Sequence, residues 1–286
     1  MVTVLAPAKI NLTLEVLGKR PDGYHEIRSV AQTISLCDTF GFQLSQDIEF
    51  ECANPDWLPQ ESLVVGAVHL LQEKTGCNKG AKIEVVKRIP LISGLGGDSS
   101  DAAATLVGLN RLWELGLSRQ ELHGLAAQLG SDVPFFLYGG TALLEGRGER
   151  VTPLPPFPHM RVIVVVPDVP RQPGKTKQLF ESLKPNHYTD GRISQRFIDW
   201  LKRGGEFAPL LLFNTFENVA FASRTSQLSV SRGHAIELGA THVHLAGSGP
   251  ALFTLVKDRS QAEELYLRFR QQKMESYLTE TLETKE

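Results

Sequence analysis

The chain has 286 residues, a formal net charge of -2, 42% hydrophobic and 22% charged residues. That length can hold two modest cores or one large one, and so near-neutral a balance gives no basic field for nucleic acid or an anionic membrane. Cys37, Cys52 and Cys77 are widely spaced with no Cys-x-x-Cys pair, which argues against disulfides and structural zinc. No secretory leader or membrane-length apolar run is visible, so a soluble, cytoplasmic protein is expected. The sequence carries no signal for oligomeric state.

In chain order, Val2 to Val16 reads as a strand, a break over Ala6 to Asn11 and a second strand, because Val4, Leu12, Leu14 and Val16 alternate with polar residues. Pro21-Asp22-Gly23 makes a turn that presents Tyr24 and His25. Strands follow over Ile27 to Leu36 and Phe40 to Cys52, then a helix over Ser62 to Thr75, capped by Ser62 and stopped by Gly76. Ala81 to Val86 is a strand feeding a glycine loop. After Ser99, Ala103, Leu106, Leu109, Leu112 and Trp113 recur mostly at helical spacing and give one buried face. Ser118 and Glu121 form a capping box for a helix reaching Gly130.

Thr141 to Leu154 resembles a hairpin turning at Gly146-Arg147-Gly148. The prolines of Pro153 to Pro158 can continue neither a central strand nor a helix, so a domain boundary is expected there, dividing 1–156 from 157–286. The second half reads as a strand over Arg161 to Val166 and helices near Arg192 to Arg203, Leu210 to Ala222 and Ser229 to Leu238. A strand pair, Thr241 to Ala246 and Ala251 to Val256, is joined by Gly247-Ser248-Gly249-Pro250. A helix from Ser260 to about Tyr277 and a solvated end complete an α+β chain.

The stretch K-R-I-P-L-I-S-G-L-G-G-D-S-S-D-A-A-A, Lys87 to Ala104, is the strongest chemical signal. Gly94, Gly96 and Gly97 permit positive φ and let another molecule lie against the main chain, and the helix that follows offers unpaired N–H groups at its start. Ser99 and Ser100 add hydroxyls. A phosphate site fits; so does a glycine turn with a serine cap. A dinucleotide fingerprint fails because Ser99 stands where its third glycine would be. Gly174-Lys175-Thr176 resembles the end of a Walker loop, but Val169 replaces the first glycine and Pro170 and Pro173 lack N–H groups. His242 and His244 share one strand face, and without a third ligand ordinary sheet packing is preferred to zinc.

Three stretches together resemble the signature motifs of the GHMP small-molecule kinases: A-P-A-K-I-N-L at Ala6 to Leu12, the loop from Pro90, and L-A-G-S-G-P-A-L-F at Leu245 to Phe253. D-G-Y-H-E at Asp22 to Glu26 and G-S-D-V-P-F-F at Gly130 to Phe136 narrow the resemblance to the branch acting on a methylerythritol carried by cytidine diphosphate, in non-mevalonate isoprenoid biosynthesis. The resemblance implies an α+β fold of two domains, the first like ribosomal protein S5 domain 2, the second ferredoxin-like, with the active site in the cleft between them.

It further implies ATP with Mg²⁺ on Lys87, Pro90, Gly94, Leu95, Gly96, Gly97, Asp98, Ser99 and Ser100, and a C-terminal glycine motif of Gly247, Ser248 and Gly249. No residue is assigned to the metal. Asp132 matches the residue that orients the acceptor hydroxyl and takes its proton late, Lys9 the cation that stabilises the developing charge, and Asn11 a nearby polar group. Asp132 read alone also fits an N-cap before Pro134, and Lys9 a surface lysine. Tyr24, His25, Thr176 and Phe180 match cytidine-binding positions, Phe180 also fitting a helix core. Asp98 replaces a commonly found glycine, and is read first as a helix-start charge and second as metal-linked. Ser62 stands where an asparagine near the adenine is common. The other readings are a homoserine, mevalonate or galactose kinase on the same fold, and a non-catalytic nucleotide-binding regulator.

Overall fold

A computed structural model describes residues 1–170 and 174–284. Pro173, which counted against a Walker loop, lies outside the described residues. The chain divides into two compact units: residues 1–8, 36–91 and 96–138 form the first, and 9–35, 92–95 and 139–286 the second. Two long strands contribute to both, β1 (Val2–Lys19) and β2 (His25–Ser45).

Neither long strand breaks where the sequence reading placed a break. In β1 the hydrophobic alternation runs on through Ala6 and Ala8 to Ile10, Leu12, Leu14 and Val16, all buried. Alanines are small enough to be passed over when apolar residues are counted, yet they keep the period of two. The opposite face carries Lys9, Asn11, Thr13 and Glu15, which are buried as well. In β2 the interruption expected between Leu36 and Phe40 is absent because the buried Asp38 finds hydrogen-bond partners in place.

In the first unit, β3 (Ile48–Cys52) runs parallel to β4 (Gly80–Val86), and residues 39–45 of β2 pair antiparallel with the other edge of β4. Three helices pack on this sheet: α1 (Leu63–Thr75), α2 (Gly97–Leu112) and α3 (Arg119–Leu129). Ser62 caps α1 and Gly76 closes it in the left-handed conformation, while Ser118 and Glu121 make the expected capping box. Phe40, Phe42, Ile83, Leu71, Leu106 and Trp113 form the core. At Gly108 a Cβ would overlap the Phe42 ring, so glycine brings α2 down onto the sheet.

In the second unit, residues 27–32 of β2 pair with β5 (Thr141–Gly146), which turns into β6 (Arg150–Pro153), the expected hairpin. A four-stranded sheet is centred on β7 (Arg161–Val166). Two helices follow, α4 (Lys175–Ser182), which contains Phe180, and α5 (Arg192–Arg203), the latter as expected.

The helix expected over Leu210 to Ala222 is not formed. Its place is taken by a 3-10 turn at Pro209–Leu211, a short strand β8 (Phe213–Asn214) parallel to β1, and a single turn α6 (Glu217–Ala220). Asn214 explains the departure, since its amide bonds the carbonyls of Leu245 and Gly247 and its Oδ1 accepts from Phe216 N, bonds that compete with a helix.

Next come α7 (Gln227–Glu237), β9 (His244–Leu245) and β10 (Leu252–Val256), the last two paired antiparallel. The last helix, α8 (Arg259–Gln271), stops short of Tyr277 as Lys273 takes φ 57°, and β11 (Glu275–Glu280) returns along β7. The tail is therefore sheet, with Thr279 and Thr281 buried, rather than a solvated end.

Candidate active site

The polar face of β1 is the centre of the second unit's site. Lys9 is 4% exposed, and its Nζ donates to Asn11 Oδ1 at 2.8 Å. Asn11 Nδ2 donates to Ser29 Oγ at 2.8 Å, and Ser29 donates to the Thr13 carbonyl at 2.6 Å. Behind them Thr13 bonds Ser194 Oγ at 2.8 Å, and Glu15 accepts from Ser194 N at 2.7 Å. Buried polar groups are costly unless paired, and this chain of bonds holds Asn11, and through it the lysine, in one orientation. Lys9 is thus not a surface lysine.

The two glycine motifs meet on that lysine. Gly94 has φ 85°, and a Cβ there would overlap the Ala246 carbonyl oxygen and lie 2.7 Å from Gly249 N. A Cβ on Gly247 would lie 2.8 Å from the Gly94 carbonyl oxygen and 3.2 Å from Lys9 Nζ. Ala251 N donates to the Ser93 carbonyl and Lys9 N to the Leu95 carbonyl. Only residues without side chains allow such packing, which is why both segments are glycine-rich. Thr176 Oγ1 bonds Ser248 Oγ at 2.8 Å and so brings the start of α4 to the same turn, next to the half-buried Lys175, whose pKa burial lowers. Ile92, in the same loop, holds φ 51°, a conformation rare for a β-branched residue.

His25 and Phe180 also come together, stacked with centroids 4.9 Å apart and 21° between planes. Phe216 meets Phe180 edge-on, and Tyr188 Oη lies 3.4 Å from His25 Nε2. These rings touch, leaving no slot for a base between them. Burial, and secondarily the Lys19 charge, lower the His25 pKa. Tyr24 stands apart from this cluster, half-exposed, with the Arg147 guanidinium 5.1 Å from its ring centroid.

In the first unit, α2 begins immediately after Gly96, which has φ 74°, so Gly97, Asp98, Ser99 and Ser100 are its first turn. Ser100 N already bonds the Gly96 carbonyl, leaving the N–H groups of residues 97–99 without intrahelical acceptors. Asp98 points to α1: its carboxylate accepts from Ser62 Oγ at 2.5 Å and from Leu63 N at 3.2 and 3.3 Å.

Lys87 is buried, its Nζ 2.5 Å from Asp38 Oδ2 and in contact with Asp101 Oδ2. Burial opposes its charge, but the two carboxylates outweigh that and raise its pKa, while burial, aided by Asp38, pushes Asp101 well above the usual carboxylate range. Asp132 occupies the N-cap position of a 3-10 turn, Val133–Leu137, but its side chain makes no capping hydrogen bond to that turn.

Sequence reasoning did not find Ser29, Thr13, Ser194, Asn214, Tyr188 or the Asp38–Lys87–Asp101 cluster. Only β1's alternating polar residues and the acidic position after Ser99-Ser100 hinted at any of them. His244 bonds Glu217 at 3.1 Å, and no cluster of three metal-ligating side chains occurs among the described residues.

Residues 62–140 match the GHMP kinases N terminal domain and residues 200–275 the GHMP kinases C terminal domain. A 4-diphosphocytidyl-2-C-methyl-D-erythritol kinase of Dehalococcoides mccartyi is 46% identical over 282 residues, 99% of each chain. A crystal structure of 4-(cytidine 5'-diphospho)-2C-methyl-D-erythritol kinase superposes with TM-score 0.82 at 32% identity, covering 98% of this chain and 99% of that one. A homoserine kinase from Cytophaga hutchinsonii shares the fold, with TM-score 0.75 at 18% identity over 99% of this chain and 95% of that one.

Proposed function

The chain belongs to the 4-diphosphocytidyl-2-C-methyl-D-erythritol kinases of the GHMP kinase family, and on that premise we infer that it transfers the γ-phosphoryl group of ATP to the 2-hydroxyl of 4-diphosphocytidyl-2-C-methyl-D-erythritol. It is an ATP-dependent small-molecule kinase of non-mevalonate isoprenoid biosynthesis. The observation that carries the mechanism is the buried Lys9 ammonium, held by Asn11 and bordered by Gly247, which packs on the Gly94 carbonyl.

Phosphoryl transfer through a loose transition state depends on positioning and charge neutralisation more than on a strong base. The acceptor oxygen attacks the γ-phosphorus, the bond to the β,γ-bridging oxygen breaks with its electrons leaving on ADP, and the hydroxyl proton passes to Asp132. Lys9, in a setting with little water, stabilises charge on the transferring group. The N–H groups of Gly97, Asp98 and Ser99 bind phosphate oxygens. Lys87, its ammonium committed to two carboxylates, serves the nucleotide through its main chain, together with Pro90. His25, Phe180, Thr176 and Tyr24 recognise the cytidine diphosphate portion.

The residues suit a magnesium ion that arrives with ATP: such an ion takes one or two protein ligands and the rest from phosphates and water, and no protein cage of three is present among the described residues. Ser99 would offer it a hydroxyl. When bound, it neutralises phosphate charge.

The proposed boundary at 156/157 falls between the two family matches, 62–140 and 200–275. A cytoplasmic location is the reading that a bacterial metabolic relative supports; among the described residues no helix is long and apolar enough to cross a membrane. ADP release with MgATP, comparing the cytidine substrate with mevalonate, homoserine and galactose, tests the reading. Turnover only with the cytidine compound is expected; turnover with another alcohol would remove the roles given to His25 and Phe180, and none with any would favour a regulator.

A further inference from the structure

The first unit holds a charge cluster that the chemistry above leaves unused. Lys87, Asp38 and Asp101 have side chains 2%, 0% and 0% exposed. Counted only as an ion-pair triad, the two aspartates are equivalent, each giving Lys87 one oxygen. Their second oxygens differ. Asp38 Oδ1 accepts from the backbone N–H of Arg88 at 2.5 Å and of Ile89 at 2.8 Å, whereas Asp101 Oδ1 has no hydrogen-bond partner among the described residues.

Asp38 therefore grips one continuous segment at three successive residues, by the side chain of Lys87 and the main chain of Arg88 and Ile89. That segment supports the first turn of α2. A Cβ on Gly97 would lie 3.1 Å from Ile89 Cγ2 and 3.9 Å from Lys87 Nζ, so the glycine rests directly on the residues Asp38 holds. Gly97 is the first residue of α2, so the packing of Ile89 bears on the backbone that opens the helix.

We propose that Asp38, on β2 and remote in sequence from the glycine loop, is a positioning residue for the nucleotide, holding residues 87–89 and through them the phosphate-binding turn at Gly97, while Asp101 is a passive companion of Lys87. This rests on the reading that Lys87, Pro90 and Gly94 to Ser100 take ATP. A positioning role in ground-state binding changes KM for ATP rather than kcat.

The test compares Asp38→Asn, Asp38→Glu and Asp101→Asn in the full chain, measuring KM for ATP, kcat and thermal midpoint. Asp38→Asn is expected to raise KM for ATP about tenfold or more with kcat within about threefold. Asp38→Glu keeps the charge but displaces it by one methylene, and should raise KM as well; Asp101→Asn should stay within about twofold of the wild type in KM. A normal KM in either Asp38 variant, or an Asp101→Asn effect equal to that of Asp38→Asn, overturns the proposal. Should Asp38→Asn not fold, Asp38→Glu decides. A wild type that consumes no ATP with any acceptor would instead refute the functional reading beneath it.

Discussion

Asp98, in the first turn of α2, accepts a 2.5 Å hydrogen bond from Ser62 Oγ, the cap of α1, so that one carboxylate joins the starts of two helices. Its carboxylate faces α1, which fits the reading of Asp98 as a helix-start charge.

Replacing Asp98 by glycine should therefore remove a cap contribution, about 0.5–2 kcal/mol, and lower the thermal midpoint. KM for MgATP should change by less than about threefold. A large fall in kcat, recovered by raising Mg²⁺, would show instead that Asp98 serves the metal.

Asp132→Asn keeps the shape of the side chain and removes the acceptor for the proton. A fall in kcat of roughly 10²–10⁴ is expected, with KM for ATP little changed. Near-normal steady-state turnover would deprive Asp132 of its role.

Gly94→Ala and Gly124→Ala should move stability in opposite directions. At Gly94 a side chain meets both φ 85° and the Ala246 carbonyl, so destabilisation of about 1–3 kcal/mol and weakened ATP binding are expected. Gly124 lies within α3 with nothing within 4 Å of a built Cβ, and alanine there should stabilise by about 0.4–1 kcal/mol. Denaturant melts of the two variants decide.

His25 supplies a pH dependence. Its pKa is lowered in the folded chain, chiefly by burial, so the unfolded chain binds more protons wherever the two states differ. The stabilising contribution of neutral His25 is fully present above the unfolded value, about 6.5, and is lost as pH falls from there through the folded value. Urea midpoints should decline less steeply over that window in His25→Phe than in the wild type. Equal slopes would count against it.

The local elements were legible where a single residue decides them. Ser62, Gly76, Ser118 with Glu121, and Gly146 to Gly148 fixed helix ends and a hairpin, because capping and turn conformations are properties of a few adjacent residues. Lys9, Asn11, Asp132 and the glycine motifs could likewise be named from their order and resemblance. Where the reading failed, the cause lay in partners far along the chain. Asp38 stays in a strand because Lys87 pairs its charge and two backbone N–H groups bond it, Asn214 sits in a short strand rather than a helix because it bonds Leu245 and Gly247, and residues 275–280 extend because β7 has an edge to pair.

The sequence by itself determined the family, the motifs and the kinds of groups available for phosphoryl transfer. Tertiary structure decided where each group points and what it touches: it faced Asp98 toward α1, buried Lys87 between two aspartates, joined His25 to Phe180 and set both glycine turns near Lys9. Burial and hydrogen bonding between residues remote in sequence set those directions, and neither is encoded in local spacing.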